Sequence, residues 1–449
     1  ASPRPPWRRW TAATWPRWER INWRPTTAQL RAIDAADLVG LGTDAMAALG
    51  SVQVAALGSA QLAALDSEQL RALNGTQLRA LTSAQLASLA TEDLNALTSS
   101  QLQSLGSSQI AALTSQQIRA MESEDFAALT TAQLRGMETR DLAALASADV
   151  AQFSSSQLAG LASTQLRALA SDAIVGIGTD ALGALSGAQV AALTTAQVAG
   201  LSTEQLAGLS SAQLRGLGSA QLAALGTEHL NVLGSDQIAA LTSSQIASLT
   251  SSQIGNLETQ DFAALSTAQL RGIEAADFGA LTASHLAVLS SAQIAALTSS
   301  QLLTLDSSDI AAIATTSMAG LSASQVAALG TAQLAAMGSE QLQALTSAQL
   351  AGLTSAQIST LATDDLNALT TAQFAALTTR QITDLTTLQV ANLESADLVS
   401  LGTAQIRALG TADLAALDST DLGVLTSTQI GALSTAQVRA LETADLAGI

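Results

Sequence analysis

The chain has no cysteine, no lysine and no tyrosine, and only 2% of its 449 residues are aromatic. Without cysteine it can form no disulfide, no thiolate metal site and no thiol nucleophile. Basic side chains are also scarce, with 18 arginines against 36 acidic residues and a net charge of −18. Nucleic acids and anionic membrane surfaces attract basic proteins, so this composition argues against both as partners of the main body.

Long hydrophobic runs are missing too. No stretch of 18 or more apolar residues occurs, so we expect no transmembrane segment. The first residues lack both Met and the apolar core typical of a signal peptide. An acidic, cysteine-free chain rich in Ser and Thr is typical of secreted bacterial proteins, and we therefore predict an extracellular or cell-surface location.

A repeat of eight residues fills most of the chain. The stretch LTSAQLASL at 81–89 returns as LTSAQLAGL at 345–353, and 53 such octads run from residue 25 to residue 448 without an insertion. With Leu81 as position 1, position 6 is always Leu, Ile, Val, Met or Phe. Position 3 is Ser or Thr in 47 octads, and position 5 is Gln in 34 and Asp in 13. Loops tolerate insertions, so their absence predicts one continuous stacked solenoid over residues 25–449.

A longer period lies over the octads. LATEDLNAL at 89–97 returns as LGTEHLNVL at 225–233 and as LATDDLNAL at 361–369, a shift of 17 octads each time. The ranges 33–168, 169–304 and 305–440 are therefore three copies of one unit. Duplication explains this period. An alternative is that 17 octads complete a whole number of superhelical turns, which would place equal surfaces on one side.

The octad predicts an all-α repeat, a solenoid or superhelix of short capped helices with one helix per octad. One long helix is excluded, because eight residues at about 100° each overshoot two turns by about 80°. With position 2 as the N-cap, the Gln at position 5 closes a capping box, and the apolar residues at positions 1 and 6 form a hydrophobic staple. Position 3 is an alternative cap. A thin β-solenoid with a Gln ladder is the alternative fold, although Ala, Gln, Asp and Gly are poor strand formers.

The segment 1–24 differs from the rest and holds all five Trp residues. The Trp residues are spaced by 3 and 5, as the aliphatic residues of the octads are, and they are Trp7, Trp10, Trp15, Trp18 and Trp23. We interpret the segment as a terminal cap with Arg stacked on Trp. The alternatives are a docking segment for a neighbouring subunit or the cell envelope, and an interfacial membrane anchor.

Acidic octads are the candidate binding sites. Whenever Glu occupies position 2, Asp occupies position 5, and two carboxylates at this spacing share one face of a helix. Stacked on a neighbouring turn, such pairs are speculative Ca²⁺ ligands. The alternative is that acids near helix N-termini favour the helix dipole and keep the protein soluble. The pairs are Glu122/Asp125, Glu138/Asp141, Glu258/Asp261, Glu274/Asp277, Glu394/Asp397 and Glu442/Asp445.

The two histidines, His229 and His285, both stand at position 5. We interpret them as replacements of Gln, and a metal pair is the remote alternative. No nucleophile-elbow motif and no Gly-rich phosphate loop is present. A fixed octad also leaves no long loop to build a pocket, so the sequence predicts no catalytic site, no cofactor site and no enzyme.

The octad, as in LTSSQIAS at 241–248 and LTTAQVAG at 193–200, resembles the repeats of long octapeptide-repeat secreted or surface structural proteins of Proteobacteria. That resemblance covers residues 25–449 and implies a structural role. Our first hypothesis is a self-associating extracellular filament, sheath or surface fibre. The alternatives are an adhesin stalk or binding scaffold that presents periodic patches, and an ice- or mineral-binding surface made of Ser and Thr rows.

Overall fold

A computed structural model describes residues 25–441 of the chain, and within that range the secondary structure is 52 short helices without a strand. The predicted all-α repeat is thus confirmed, and the β-solenoid alternative is wrong. The chain divides into two compact units, Ala1–Leu225 and Gly226–Ile449.

The first unit contains helices α1 to α25. In chain order they are Thr27–Arg31, Ala35–Leu38, Thr43–Ala48, Ser51–Ala55, Ser59–Leu62, Ser67–Arg71, Gly75–Arg79, Ser83–Ala87, Thr91–Asn95, Ser99–Ser104, Ser107–Ile110, Ser115–Ala120, Ser123–Ala128, Thr131–Gly136, Thr139–Leu142, Ser147–Val150, Ser155–Gly160, Ser163–Ala168, Ser171–Ile174, Thr179–Gly183, Gly187–Ala192, Thr195–Ala199, Thr203–Ala207, Ser211–Gly216 and Ser219–Ala223.

The second unit contains helices α26 to α52. In chain order they are Thr227–Asn231, Ser235–Ala240, Ser243–Ile246, Ser251–Gly255, Thr259–Ala263, Thr267–Gly272, Ala275–Phe278, Ala283–Ala287, Ser291–Ala296, Ser299–Thr304, Ser307–Ala312, Thr315–Met318, Ala323–Ala328, Thr331–Ala335, Ser339–Gln343, Ser347–Leu350, Ser355–Thr360, Thr363–Asn367, Thr371–Ala376, Thr379–Thr383, Thr387–Val390, Ser395–Ser400, Thr403–Ala408, Thr411–Leu414, Ser419–Gly423, Ser427–Gly431 and Thr435–Ala440.

Each helix begins at the N-cap that the sequence predicts at position 2. In α8 (Ser83–Ala87) the N-cap is Thr82, whose hydroxyl accepts a hydrogen bond from the backbone N–H of Gln85 while Gln85 caps the N–H of Thr82. The alternative cap at position 3 is wrong, because position 3 is the first helical residue. The N-cap is extended, with φ −73° and ψ 156° at Thr82. No residue of the described chain has a positive φ, so these bends do not require glycine.

Within each unit, helices stack three apart. The first helix packs against the fourth, the second against the fifth, and so on. Three consecutive octads therefore make one coil, and each helix lies between the equivalent helices of the coils before and after it. We call each junction between consecutive helices a corner, formed by position 8 of one octad and positions 1 and 2 of the next.

The aliphatic residues at positions 1 and 6 form the core. Leu78 is fully buried at position 6 and Leu81 is 3% exposed at position 1, and this pattern recurs through both units. Two large apolar side chains contribute about 3–6 kcal/mol per octad when buried. Ordering one octad costs about 12 kcal/mol. A single octad is therefore unstable, and the fold depends on stacking.

Small residues at position 8 let successive coils approach closely. A Cβ added at Gly176 would lie 2.0 Å from the backbone oxygen of Ser147, and one added at Gly216 would lie 2.4 Å from that of Gly187. Real Cβ atoms do not approach an oxygen so closely. Glycine at these two positions is therefore required by the neighbouring backbone of the preceding coil.

The coil of three octads can be compared with the 17-octad period of the sequence. Seventeen octads amount to five coils of three helices plus two further helices. In the first unit, α3 (Thr43–Ala48) and α20 (Thr179–Gly183) are equivalent by sequence and 17 helices apart, so they belong to different stacks. Seventeen octads therefore do not fill a whole number of three-helix coils, and duplication of one unit stays a prediction.

Candidate functional site at the corners between helices

Glutamine at position 5 links each coil to the one before it. In α12 (Ser115–Ala120), Oε1 of Gln117 accepts hydrogen bonds from the N–H of Thr114 at 2.9 Å and from its hydroxyl at 3.2 Å. Nε2 of the same side chain donates to the backbone oxygens of Leu86 at 2.9 Å and Leu89 at 3.0 Å. One buried side chain, 2% exposed, thereby closes its own helix start and satisfies the carbonyls of a helix end one coil earlier.

This arrangement recurs in both units at a fixed register. Gln197 donates to the carbonyls of Leu166 and Leu169, which are 31 and 28 residues earlier. In the second unit, Gln301 does the same with Leu270 and Ile273. We call a corner a Gln corner when the helix that follows it has Gln at position 5 of its octad. The sequence predicted the capping half of this contact and missed the half that joins the coils.

Other side chains at position 5 keep part of the link. Nε2 of His285 lies 2.8 Å from the oxygen of Leu257, and the N–H of Thr282 donates to its Nδ1 at 3.2 Å. Because a carbonyl only accepts, Nε2 carries the proton. His229 likewise accepts from the N–H of Gly226. Both histidines therefore occupy the glutamine position of the octad, as their interpretation as Gln replacements requires.

Position 7 adds a second contact between coils, which the sequence analysis did not predict. Nε of Arg71 donates to the oxygen of Ala96 at 2.7 Å, and Nε of Arg79 donates to that of Ser104 at 2.9 Å. Each acceptor stands at position 8 of an octad in the following coil. The arginines therefore satisfy carbonyls at helix ends, and their recurrence at position 7 has a structural reason.

Aspartate at position 5 gives a different corner, which we call an acidic corner. A carboxylate has no N–H to donate to the preceding coil, so the contact is reversed. Oδ1 of Asp141 accepts from the hydroxyl of Ser115 at 2.6 Å, and Oδ1 of Asp261 accepts from that of Ser235 at 2.6 Å. The donor in each case is a position-3 residue of the preceding coil, and this gives one reason for Ser or Thr at position 3.

Burial raises the pKa of several of these aspartates. Desolvation is the main cause at Asp125, and the nearby carboxylate of Glu122 adds to it. Desolvation together with Glu394 raises the pKa of Asp397 to about 6. At acidic corners, holding the negative charge therefore has a free-energy cost that Gln corners do not have.

The Glu/Asp pairs predicted from the sequence lie at single corners and do not stack on one another. The glutamate is the exposed N-cap and makes no side-chain capping bond, as at Glu122 and Glu258. The pairs at Glu122 and Glu138 are two octads apart, hence two helices apart, while stacked helices are three apart. These two pairs are therefore not stacked on each other, and their role as Ca²⁺ ligands stays a prediction.

The pair Glu274/Asp277 differs from the other predicted Ca²⁺ ligands in its burial. Asp125, Asp141 and Asp261 are buried, whereas Asp277 is only half-buried and Glu274 is exposed. Oδ1 of Asp277 accepts a hydrogen bond from the hydroxyl of Ser251, one coil earlier. Asp277 thus makes the same hydroxyl contact to the preceding coil as Asp141 and Asp261 do, and the Ca²⁺ prediction for Glu274/Asp277 stays a prediction.

Two further observations concern metal and membrane binding. Within residues 25–441, no group of three or more His, Cys, Asp or Glu side chains is arranged to hold a metal ion. Over the same part of the chain, every helix is too short or too polar to cross a membrane. The pair Glu442/Asp445 and the five Trp residues lie outside the described residues.

The fold and its corners define a class, an all-α repeat solenoid in which buried polar side chains join successive coils. The chain belongs to the ALTTAQ repeat family, whose model matches it repeatedly over residues 26–251 and 272–448. No curated protein matches the chain.

Among solved structures, the chain is similar to a leucine-rich repeat-containing protein, LegL7, from Legionella pneumophila. The two share 13% sequence identity over 54% of this chain and 77% of that one, with a TM-score of 0.16. A TM-score this low carries no argument about fold or function.

Proposed function

We propose that the chain is a non-enzymatic structural protein that forms, or contributes to, an extracellular filament, sheath or surface fibre. The observation that carries this proposal is the Gln corner. The same buried side chain joins each coil to the preceding one through its backbone, as Gln197 does in the first unit and Gln301 in the second. A joint that recurs at a fixed register in both units suits a protein whose function depends on length.

The composition supports the proposed location outside the cell or on its surface. The chain has no cysteine and a net charge of −18, and its fold rests on buried aliphatic residues and main-chain hydrogen bonds. Such a fold needs no redox environment and no cofactor. We further propose that the Trp-rich segment 1–24 docks the chain to a second copy or to the cell envelope.

Electron microscopy of negatively stained protein tests the proposed filament. We expect particles that lengthen or widen as the protein concentration rises, and sedimentation velocity should show the same growth. A variant with all five Trp residues replaced by Ser is the matched test of docking, and it should assemble less at equal concentration. Single-chain particles of one size at every concentration would contradict the filament.

A binding scaffold is the second candidate. Its support is a combination of residues that occurs once in each of the three copies. An Asn at position 7 is followed, at a fixed interval, by a Glu/Asp pair, as Asn95 is followed by Glu122 and Asp125. A scaffold of this kind would bind its ligand at three places per chain and remain a single chain in solution. The same sedimentation experiment therefore separates the two functions.

A further inference from the structure

Five buried side-chain oxygens in the described residues have no hydrogen-bond partner, and all five fall on one pattern. Three are the Oδ1 atoms of Asn95, Asn231 and Asn367. These residues are 17 octads apart, one in each copy, and they are the three asparagines at position 7 of an octad. The other two are Oδ2 of Asp261 and Oδ2 of Asp397, and each follows an asparagine of the set by the same interval along the chain.

The register of the coil brings each asparagine to the corner that carries the aspartate. In the third copy, Nδ2 of Asn367 donates to the oxygen of Asn392 at 2.7 Å, and Asn392 closely precedes Glu394 in the sequence. In Gln corners, the position-5 side chain also reaches a position-7 carbonyl of the preceding coil, as Gln101 does with Arg71 at 3.0 Å. By that register the Asp397 corner stacks on the corner that follows Asn367, and the intervals from Asn95 to Asp125 and from Asn231 to Asp261 are the same.

Two of these aspartates keep one oxygen without a donor, namely Oδ2 of Asp261 and Oδ2 of Asp397, although Oδ1 of Asp261 accepts from the hydroxyl of Ser235. Asp397 is 3% exposed and Asp261 is 1% exposed, so water cannot reach their carboxylates freely. The Gln Nε2 that would satisfy the carbonyls of the preceding coil is absent, because position 5 is Asp. The N-cap glutamates add a second negative charge to each corner. Buried acceptors of this kind are destabilising unless a hydrogen-bond donor or a cation satisfies them.

A corner that lacks the asparagine shows the contrast. At Glu138 and Asp141, Arg140 lies 3.1 Å from the Glu138 carboxylate and 3.6 Å from that of Asp141, while Ser115 donates to Asp141 as Ser235 does to Asp261. The residue that takes the place of the asparagine in this register is Ala111. This corner carries its own cation and has no unpartnered oxygen among those found in the described residues.

We propose that the corners Asn95/Glu122/Asp125, Asn231/Glu258/Asp261 and Asn367/Glu394/Asp397 each bind one hard divalent cation, with Ca²⁺ as the fitting ion. Each corner offers two carboxylates, an amide oxygen and backbone carbonyls of the preceding coil, which is the oxygen-only ligand set that Ca²⁺ prefers. The cation would join two coils at the place where the glutamine link is missing. This inference stands apart from the proposed filament, because it concerns the interior of one chain.

Titration calorimetry of the full chain, stripped of metal with a chelator, tests the proposal with Ca²⁺ itself. We expect three equivalents bound per chain and an increase in Tm at about 1 mM Ca²⁺, the affinity range of extracellular calcium modules. Replacement of Asp261 and Asp397 by Gln installs the residue of a Gln corner, so the variant should fold. It should bind one equivalent, and Asn367→Ala should weaken one site at least tenfold.

Asp141→Gln is the matched control, because it removes an equivalent carboxylate from a corner without asparagine, and it should leave three equivalents. The proposal is overturned if Ca²⁺ produces neither heat nor a change in Tm. It is also overturned if Asp141→Gln reduces binding as much as Asp397→Gln does, or if Na⁺ at equal ionic strength produces the same effect. Absence of Ca²⁺ binding, together with a pH-dependent Tm that Asp397→Gln abolishes, would overturn it in favour of a proton at the corner.

Discussion

Gln corners and acidic corners occupy the same place in the coil and join it in opposite ways. At Gln117 an amide both accepts from its own helix start and donates to two carbonyls of the preceding coil. At Asp309 a carboxylate can do only the first, accepting from the N–H of Asp306 at 3.1 Å. Because a carboxylate lacks the amide N–H donor, an acidic corner leaves the carbonyls of the preceding coil without that partner and carries a buried charge.

The comparison explains why both residues persist at position 5. A glutamine is neutral and satisfies the joint at every pH, so it builds the regular coil. An aspartate leaves the carbonyls of the preceding coil without their amide donor. The joint then depends on a hydroxyl that donates to the aspartate, as at Asp141, or on a cation. Gln corners hence provide stability, whereas acidic corners provide places where solution conditions act on the coil.

The largest effect is expected when a Gln corner is made acidic. Gln117→Glu keeps an oxygen for the cap N–H and removes the two bonds to Leu86 and Leu89, while it places a charge beside two carbonyls. Loss of buried hydrogen bonds in this way should reduce the local free energy of unfolding by about 2–4 kcal/mol. Hydrogen exchange of the amides in α8 (Ser83–Ala87) and α12 (Ser115–Ala120) measures it.

Gln116→Glu is the control for that experiment, because Gln116 is the exposed neighbour and the change in charge is identical. We expect an effect within about 0.5 kcal/mol for this surface substitution. Equal destabilisation by both variants would mean that added charge, and not the loss of the amide donor, decides the stability of the corner.

The reverse substitution should repair an acidic corner. Asp309→Gln supplies the missing Nε2 to the carbonyls that occupy the acceptor positions of the preceding coil, those of Phe278 and Leu281, and it removes a buried charge. We expect stabilisation by about 1–2 kcal/mol at pH 7, since each hydrogen bond contributes about 1 kcal/mol. Asp236→Gln, at an exposed aspartate in position 4, makes the same chemical change away from a corner and should have little effect on exchange.

The same aspartate should make stability depend on pH. Desolvation raises the folded-state pKa of Asp309. The hydrogen bond from the backbone N–H of Asp306 and the nearby His285 oppose the rise, and the negative charge of Asp306 adds to it. The folded chain therefore holds a proton at pH values where the unfolded chain has released it. The contribution of Asp309 to stability is most favourable below the ordinary pKa of 3.8 and declines as pH rises through the raised value. Thermal melting between about pH 3.5 and 7 should show a steeper decline for the native chain than for Asp309→Gln, and parallel curves would refute this assignment.

Some of the fold follows from the octad alone. The hydroxyl at position 2 and the Gln at position 5 predict the N-cap and its box, as found at Thr82 and Gln85, because capping is a local interaction. The number of octads per coil does not follow, because it depends on bends that many extended cap conformations allow. Every hydrogen bond between coils was therefore missed, including the amide arm of Gln117.

The acidic pairs show the same limit at the candidate site. Their internal spacing is visible in the sequence, but the partner that distinguishes Glu394/Asp397 from Glu138/Asp141 lies one coil away, at Asn367. One signal could have found it. Asn at position 7 occurs three times, and each time a Glu/Asp pair follows at the same interval. The sequence interval indicates that the asparagine and the pair are close in space only when it is known that three octads form one coil.

The smallest effect is expected at the hydroxyl that supports an acidic corner. Ser115 donates to Asp141 at 2.6 Å, so Ser115→Ala should cost about 1 kcal/mol of local stability, measured by hydrogen exchange of α15 (Thr139–Leu142). Ser163 is an exposed residue at the same octad position. The residue that follows it at the interval from Ser115 to Asp141 is Gln189, which is not an acid. Ser163→Ala should therefore change hydrogen exchange much less. If the two variants behave alike, position 3 is Ser or Thr for reasons of helix start alone, and the hydroxyl does not distinguish acidic corners from Gln corners.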